Sequence, residues 1–278
     1  EIRLSLVGSE MCIRDSNTTS FLNDKMTLDI AANYILQNDR NVVNQGEYNN
    51  PLVGAYLYPR GNEWADAELY EVYDPARKIY VQNWTVGDAG MTLQNPYWIT
   101  NRNMFNTGKD RFLFGASLKY DVTDWLDITG RARIDYTHIT AEQKNYASTL
   151  GLFAGDKGRY YNNTYITSQR YADVLANFHK TFADGAFSLN ATLGTSMMQT
   201  RSNNVSLLYE QSKFVAPGNG GAYYPNIFNP SNFYKNGTTM GLERKRLNSV
   251  FGAVTFGFKE ALFLDVTARN DWSSALAY

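Results

Sequence analysis

The sequence predicts an all-β fold, and within that class an antiparallel transmembrane β-barrel carrying long extracellular loops. Three observations predict it. Seven segments alternate apolar and polar residues, the connections between them are short and long in strict turn, and the composition sets Tyr 20 and Phe 15 against Pro 7 and His 2, a balance that favours strands. No apolar run approaches the ~18 residues of a membrane helix. A barrel strand needs an apolar residue only at every second position, so the chain as a whole stays polar on average.

The first strand is expected from Met26 to about Arg40, with Leu28, Ile30, Ala32, Tyr34 and Leu36 in one phase. A hairpin comes next: Phe112, Phe114, Ala116, Leu118 and Tyr120 share a phase, "DVTDW" turns the chain, and Leu126, Ile128, Ala132, Ile134 and Tyr136 share the second. Further strands are expected over about 169–182, 187–199, 245–258 and 262–272, with tight turns at "ADGA" and "KEA". The fourth and sixth are less regular, because Leu175 and Phe251 fall in the polar phase.

The connections after the first, third and fifth strands run for about 70, 30 and 40 residues from Asn41, Ala141 and Thr200, and the others are a few residues long. A β-sandwich has no reason to gather every long loop at one end; an outer-membrane barrel does. The length agrees. Ten steps from Leu262 to Trp272 at about 3.3 Å, tilted about 45°, rise roughly 23 Å, close to the apolar band of such a barrel. Trp272 shares the phase of Leu262, Leu264 and Val266, and with Tyr120 and Tyr136 it is read as a membrane-interface aromatic.

A net charge of −1 gives no basic field for nucleic acid, and the single cysteine, Cys12, allows neither an internal disulfide nor a Cys-rich metal site. "EIRLSLVGSEMCIRDS", residues 1–16, lacks the alternation of the rest of the chain and is a poor signal peptide. It resembles translated sequencing-adaptor sequence. Residues 1–16 are therefore expected to be non-native, and 17–278 to be part of a barrel domain.

Five segments carry a family resemblance: "NNPLVGAYLYPRG" (49–61), "YEVYDPAR" (70–77), "QNPYWITNR" (94–102), "YDVTDWLDITGRARID" (120–135) and "LFLDVTARNDWSSAL" (262–276). In their order and spacing they resemble the SusC/RagA-like TonB-linked outer-membrane proteins of the Bacteroidetes. The resemblance implies a barrel of about 22 strands closed by an N-terminal plug. It implies import of an oligosaccharide or peptide too large for passive pores, a SusD-like surface lipoprotein over the mouth, and the TonB complex as driver. Plug, TonB box, signal peptide and remaining strands would lie outside this stretch, so the resemblance implies a partial antiparallel transmembrane β-barrel, about a third of the whole. An open sheet leaves two edges that hydrocarbon cannot satisfy, so the stretch alone should neither insert stably nor transport.

No cofactor, metal or catalytic residue is expected. Asp265 with Asp271, and Asp127 with Asp135, are same-phase carboxylate pairs that read as wet positions on strands, and His138 and His179 lack companion ligands. "GNGG" (218–221) lacks the Lys-Ser/Thr of a phosphate loop, and "YPRG" and "NNPLVG" read as turns. Ligand contacts are expected from Trp64, Trp84, Tyr97 and Trp98 in the first long loop, since flat aromatic faces stack on sugar rings and on apolar peptide side chains. The substrate would be trapped by the loops around 41–110, 141–168 and 204–244 and then pass along the polar phase of the strands. Two other architectures fit parts of the pattern: a soluble β-sandwich that binds glycans, and a passive porin.

Overall fold

The computed structural model describes residues 8–42, 46, 48–84, 93–154, 157–210, 223–233 and 237–275; the "GNGG" segment lies outside them. In chain order the elements are β1 (Gly8–Asn23), β2 (Met26–Arg40), α1 (Pro51–Tyr56), α2 (Ala65–Glu68), β3 (Glu71–Asp74), β4 (Ile79–Gln82), α3 (Pro96–Arg102), β5 (Asn103–Thr123), β6 (Leu126–Asn145), β7 (Arg159–Phe182), β8 (Phe187–Glu210), β9 (Gly237–Phe258) and β10 (Leu262–Ser273). Eight strands form one antiparallel meander, β1-β2-β5-β6-β7-β8-β9-β10, and β3 pairs with β4 in a small separate hairpin. Among the described residues no second sheet packs against the first, so the sandwich architecture is excluded.

All seven expected strands are present, and five outrun the alternating stretch. β7 and β8 are 24 residues each, about 80 Å of strand, far more than a bilayer needs. Beyond the alternating stretch polar residues stand in both phases, so the side chains lose their period while the backbone ladder continues. The connections at the long-loop end are correspondingly shorter than expected, with residues 103–110, 141–145, 159–168, 204–210 and 237–244 belonging to strands. The strand count is also corrected: β1 is an eighth, paired with β2 from Gly8 opposite Arg40 to Asn23 opposite Met26. Its side chains do not match the partner's pattern, since Arg14, Ser16, Thr18 and Ser20 stand opposite Tyr34, Ala32, Ile30 and Leu28.

The apolar phase is the exposed one. Phe112, Phe114, Leu118, Tyr120, Ile128, Ile134 and Tyr136 are all exposed, as are Leu262, Leu264, Val266 and Trp272 on β10. The opposite face holds the charges in pairs: Arg131 donates two bonds to Asp173 (2.9 and 2.8 Å), Arg111 two to Asp135 (3.0 and 2.5 Å), and Asn177 one to Asp127 (2.8 Å). Leu175 and Phe251, the two residues that broke the alternation, meet on this face across Gly194.

Register sets the strand tilt. One row runs Met26, Tyr120, Ile128, Ala176, Leu193, Gly252, Ala268, each opposite the next. Met26 begins β2, whereas Ala268 stands six residues into β10 from Leu262. Over six strand-to-strand steps this is about one residue of stagger per strand, and with a rise of about 3.3 Å and a spacing of about 4.8 Å it gives a tilt of roughly 35°. The same tilt brings Tyr136 on β6 and Trp272 on β10 to one level near the long-loop end, although their rows differ. Tyr120, near the short turn that joins β5 to β6, belongs to the other end.

What core there is lies in the loops. The buried apolar residues among those described are Ala67, Trp98, Ile99, Ala147, Ala154, Tyr160 and Phe233, which form no layer beneath the sheet. In water so little buried apolar surface could not offset the entropy of ordering the chain.

Candidate ligand-binding site

The first long connection folds into three short helices and a hairpin, and its sequence motifs are structural signals. Asn50 caps α1 by accepting from the Leu52 amide (3.0 Å), with Pro51 as the first helical residue, so "NNPLVG" opens a helix and is not the turn expected. Asn95 and Pro96 repeat the device at α3. Gly54 is required by close approach: a Cβ there would stand 2.7 Å from the Gln94 carbonyl oxygen. Asp74 turns the β3–β4 hairpin by accepting from the Ala76 and Arg77 amides (2.9 and 3.2 Å).

Side-chain amides, of which those of Gln94 and Asn95 are buried, tie the loops together. Asn95 Nδ2 donates to the carbonyls of Ala67 (2.8 Å) and Asn83 (2.9 Å), and Gln94 Oε1 accepts from the Leu150 amide (3.0 Å). Gln82 donates twice to Ser148, and Asn226 Oδ1 accepts from the Ala147 amide (2.6 Å). Segments from all three long connections are thereby fixed by backbone hydrogen-bonding groups that irregular loops would otherwise leave unmet. Arg102 braces the hairpin through two 2.7 Å bonds to Glu71, which raise its pKa and hold it charged.

Within this frame three of the four predicted ligand residues come together. Trp64 Nε1 donates to the Tyr97 hydroxyl (3.1 Å), and the ring centroids are 6.0 Å apart. Tyr58 joins these two to the third, Trp84, lying 5.1 Å from Trp64 and 5.6 Å from Trp84. Tyr58 is another aromatic of this loop, and Pro59 and Gly61 fold the chain back so that its hydroxyl donates to the Glu63 carbonyl (2.8 Å). Trp64 is exposed, Tyr58, Trp84 and Tyr97 are half-buried, and Trp84 Nε1 has no acceptor among the described residues.

Trp98 does not belong to the cluster. Neighbours on a helix point about 100° apart, and Trp98 turns inward, fully buried, with Nε1 donating to Thr149 Oγ1 (3.0 Å). It offers a ligand no surface; it holds the first loop to the second.

The acidic pairs considered from sequence are engaged separately: Asp127 with Asn177, Asp135 with Arg111, Asp265 with Thr255, Asp271 with Arg269. His138 Nδ1 lies 4.0 Å from Asp110. Among the described residues no cluster of three His, Cys, Asp or Glu is placed to hold a metal ion.

Solved structures share this architecture. The RagAB peptide transporter superposes with a TM-score of 0.69 at 13% identity, over 98% of this chain and 28% of that one. The sheet has the fold of a TonB-dependent transporter barrel. The "open-open" state of the RagAB peptide importer gives 0.65 at 12% identity over 96% and 28% of the two chains. FpvA of P. aeruginosa bound to heterologous pyoverdines gives 0.54 at 10% identity over 96% and 31%. The chain thus spans less than a third of the length of these solved proteins. No family model matches the sequence, and neither does any curated protein sequence. In a barrel of this fold the exposed apolar phase is the outer wall and the paired charges line the lumen.

Proposed function

We propose that this chain is barrel wall and loop lid of a SusC/RagA-like TonB-dependent importer in the outer membrane of a Gram-negative bacterium of the Bacteroidetes. Its cargo is a large nutrient, an oligosaccharide first, and its partners are a SusD-like surface lipoprotein, the TonB complex and outer-membrane lipid. The observation that carries the reading is the single tilted meander with an exposed apolar phase and every long loop at one end. Tyr136 and Trp272 then sit at the outer interface of the membrane and Tyr120 at the inner one. A sugar would stack on the exposed Trp64 and the half-buried Tyr97. It would be released along the Arg111, Asp135, Arg131 and Asp173 face, whose charges are already paired and so hold polar cargo weakly. No covalent step is involved.

Peptide cargo is the second reading, supported by the likeness to the RagAB peptide transporter. Isothermal titration of the full-length protein with its lipoprotein, against mixed-linkage oligosaccharides and against a peptide digest, separates the two. Heat with oligosaccharides that Trp64→Ala abolishes supports the first; heat with peptides alone refutes it; heat with neither refutes import of both cargo classes.

We also propose that residues 1–16 are foreign to the barrel. Paired as β1 they would put Arg14 and Ser16 on the lipid side beside Tyr34 and Ala32, where an arginine at the middle of an outer-membrane barrel costs roughly 2–4 kcal/mol. Mass spectrometry of peptides from the native protein tests this; recovery of a peptide crossing Ser16 to Asn17 refutes it.

A further inference from the structure

The outer wall changes character on three neighbouring strands. On β7, β8 and β9 four arginines interrupt the apolar phase, which resumes on β9 at Leu242 and Met240: Arg170 stands opposite Gln199, and Gln199 opposite Arg246; in the adjoining row Ser168 stands opposite Arg201, and Arg201 opposite Arg244. Same-face positions lie about 7 Å apart along a strand and neighbouring strands about 4.8 Å apart, so the Cα atoms of the four arginines fall within a patch roughly 12 Å across. All four arginines are exposed. Gln199 Oε1 accepts from Arg244 Nη2 (3.2 Å) and from Arg246 Nη2 (3.4 Å), so one neutral oxygen holds two like charges side by side.

Nothing described on this face neutralises them. Among the described residues the outward phase of β7 to β10 contains no Asp or Glu, and none of the four arginines is in an ion pair. The nearest carboxylate in sequence, Glu243, is in the other phase and is bound to Lys245 (2.7 Å). With the roughly 35° tilt, the four lie from about the level of Tyr136 and Trp272 to roughly 8 Å beyond it, towards the long loops. That is headgroup depth in the outer leaflet. Charges set against hydrocarbon would be costly, and the same charges at headgroup depth meet anions.

We propose that Arg170, Arg201, Arg244 and Arg246 form a docking surface for an outer-leaflet glycolipid whose sugar headgroup carries phosphate. Guanidinium forks bind phosphate oxygens bidentately, and Ser168 and Gln199 between them supply neutral hydrogen bonds to sugar hydroxyls. The acyl chains lie down the wall below, over Met197, Ala172, Thr195 and Val174. A soluble anion is disfavoured because the patch is flat, faces sideways and lies at the membrane boundary. The proposal rests on the barrel reading and adds to it a lipid partner bound at one place on the wall.

The test uses the full-length protein in detergent, with bound lipid counted by native mass spectrometry. Diphosphorylated lipid A is the probe, beside its dephosphorylated form and inorganic phosphate. The expected result is binding of the diphosphorylated lipid, at least tenfold weaker binding of the dephosphorylated one, and at least a tenfold loss in Arg201→Gln/Arg244→Gln/Arg246→Gln. Equal binding of the two lipids, or no loss in the variant, overturns the proposal. So does displacement of the lipid by inorganic phosphate at a matching concentration, which would make this a soluble-anion site. Heat-modifiable migration reports whether the variant barrel is folded; if it is not, the single Arg→Gln variants are read instead, each expected to lose about threefold, and no loss in any of them is equally fatal. A nitroxide at Leu264→Cys, in a cysteine-free background, separates the two readings. Contact with lipid-soluble oxygen and no lipid A binding sinks the patch alone, whereas a water-exposed label sinks the barrel reading and the docking surface with it.

Discussion

Phe251 lies across Gly194 on the lumen face: a Cβ added to Gly194 would stand 2.5 Å from Phe251 Cζ and 2.7 Å from Leu175 Cδ2. The glycine leaves a slot between neighbouring strands that the ring fills, and Arg269 on β10 lies 5.5 Å above the same ring. Gly194→Ala should expel the ring and cost about 1–3 kcal/mol. Urea unfolding of the full-length protein measures the loss, and Phe251→Ala in the same chain should recover most of it. If Gly194→Ala is neutral, the ring is not held there.

Trp98 and Trp64 should separate stability from binding. Trp98→Ala removes a fully buried indole and its bond to Thr149, with an expected cost of about 3–5 kcal/mol to the loop lid. Limited proteolysis should then cut within 41–102 and 146–158 at a protease concentration that spares the unaltered protein. Trp64→Ala, at an exposed position, should leave the digestion pattern alone and weaken ligand binding. The opposite assignment of effects would reverse the roles given to the two residues.

The Arg131–Asp173 pair offers a measurement of lumen electrostatics. The Asp173 side chain is wholly buried while that of Arg131 is 34% exposed, and Tyr171 also donates to Asp173 (2.6 Å). Removing only the cation, in Arg131→Gln, leaves a buried carboxylate short of partners and should cost on the order of 2 kcal/mol, less than for a fully buried pair. Arg131→Gln with Asp173→Asn should cost less than the single change. A strictly additive double variant would show that the two side chains do not interact.

The β9–β10 turn is built from the wrong residues. Lys259 and Glu260 both adopt left-handed backbone (φ 49° and 54°), and the Ala261 amide donates to the Phe258 carbonyl (3.1 Å). Only glycine takes that conformation without strain. Glu260→Gly should therefore stabilise the hairpin by roughly 0.5–1 kcal/mol, visible as a higher urea midpoint. A lower midpoint would mean that the Glu260 side chain contributes more than the backbone strain takes away.

The alternation at Leu262, Leu264 and Val266 gave strand, phase and exposed face together, because a period of two comes from the pleat alone. Tyr136 and Trp272 could be placed near one level by the same counting. Tyr120 could be placed as well, at the opposite end, because it directly precedes the short turn "DVTDW". β1 was missed because its backbone pairs without side-chain alternation, and pairing is a property of two strands' hydrogen bonds. The strand extensions beyond Phe112 and Tyr136 were missed for a related reason: once both faces meet water, side chains stop reporting backbone state.

In the loops, composition marked Trp64, Trp84, Tyr97 and Trp98 as one group of aromatics, and nothing in their spacing could divide them. The division came from α3: its cap at Asn95 fixes the helix start, and the roughly 100° step between neighbours sends Tyr97 to Trp64 and Trp98 to Thr149. The arginines at 170, 201, 244 and 246 are likewise scattered in the chain and adjacent only through register. The sequence by itself determined which residues of the alternating stretches share a face of the sheet, since that depends on local period. The tertiary structure alone decided which distant side chains meet, since that depends on stagger between strands, and the stagger is set by turns and pairings far from the residues it brings together.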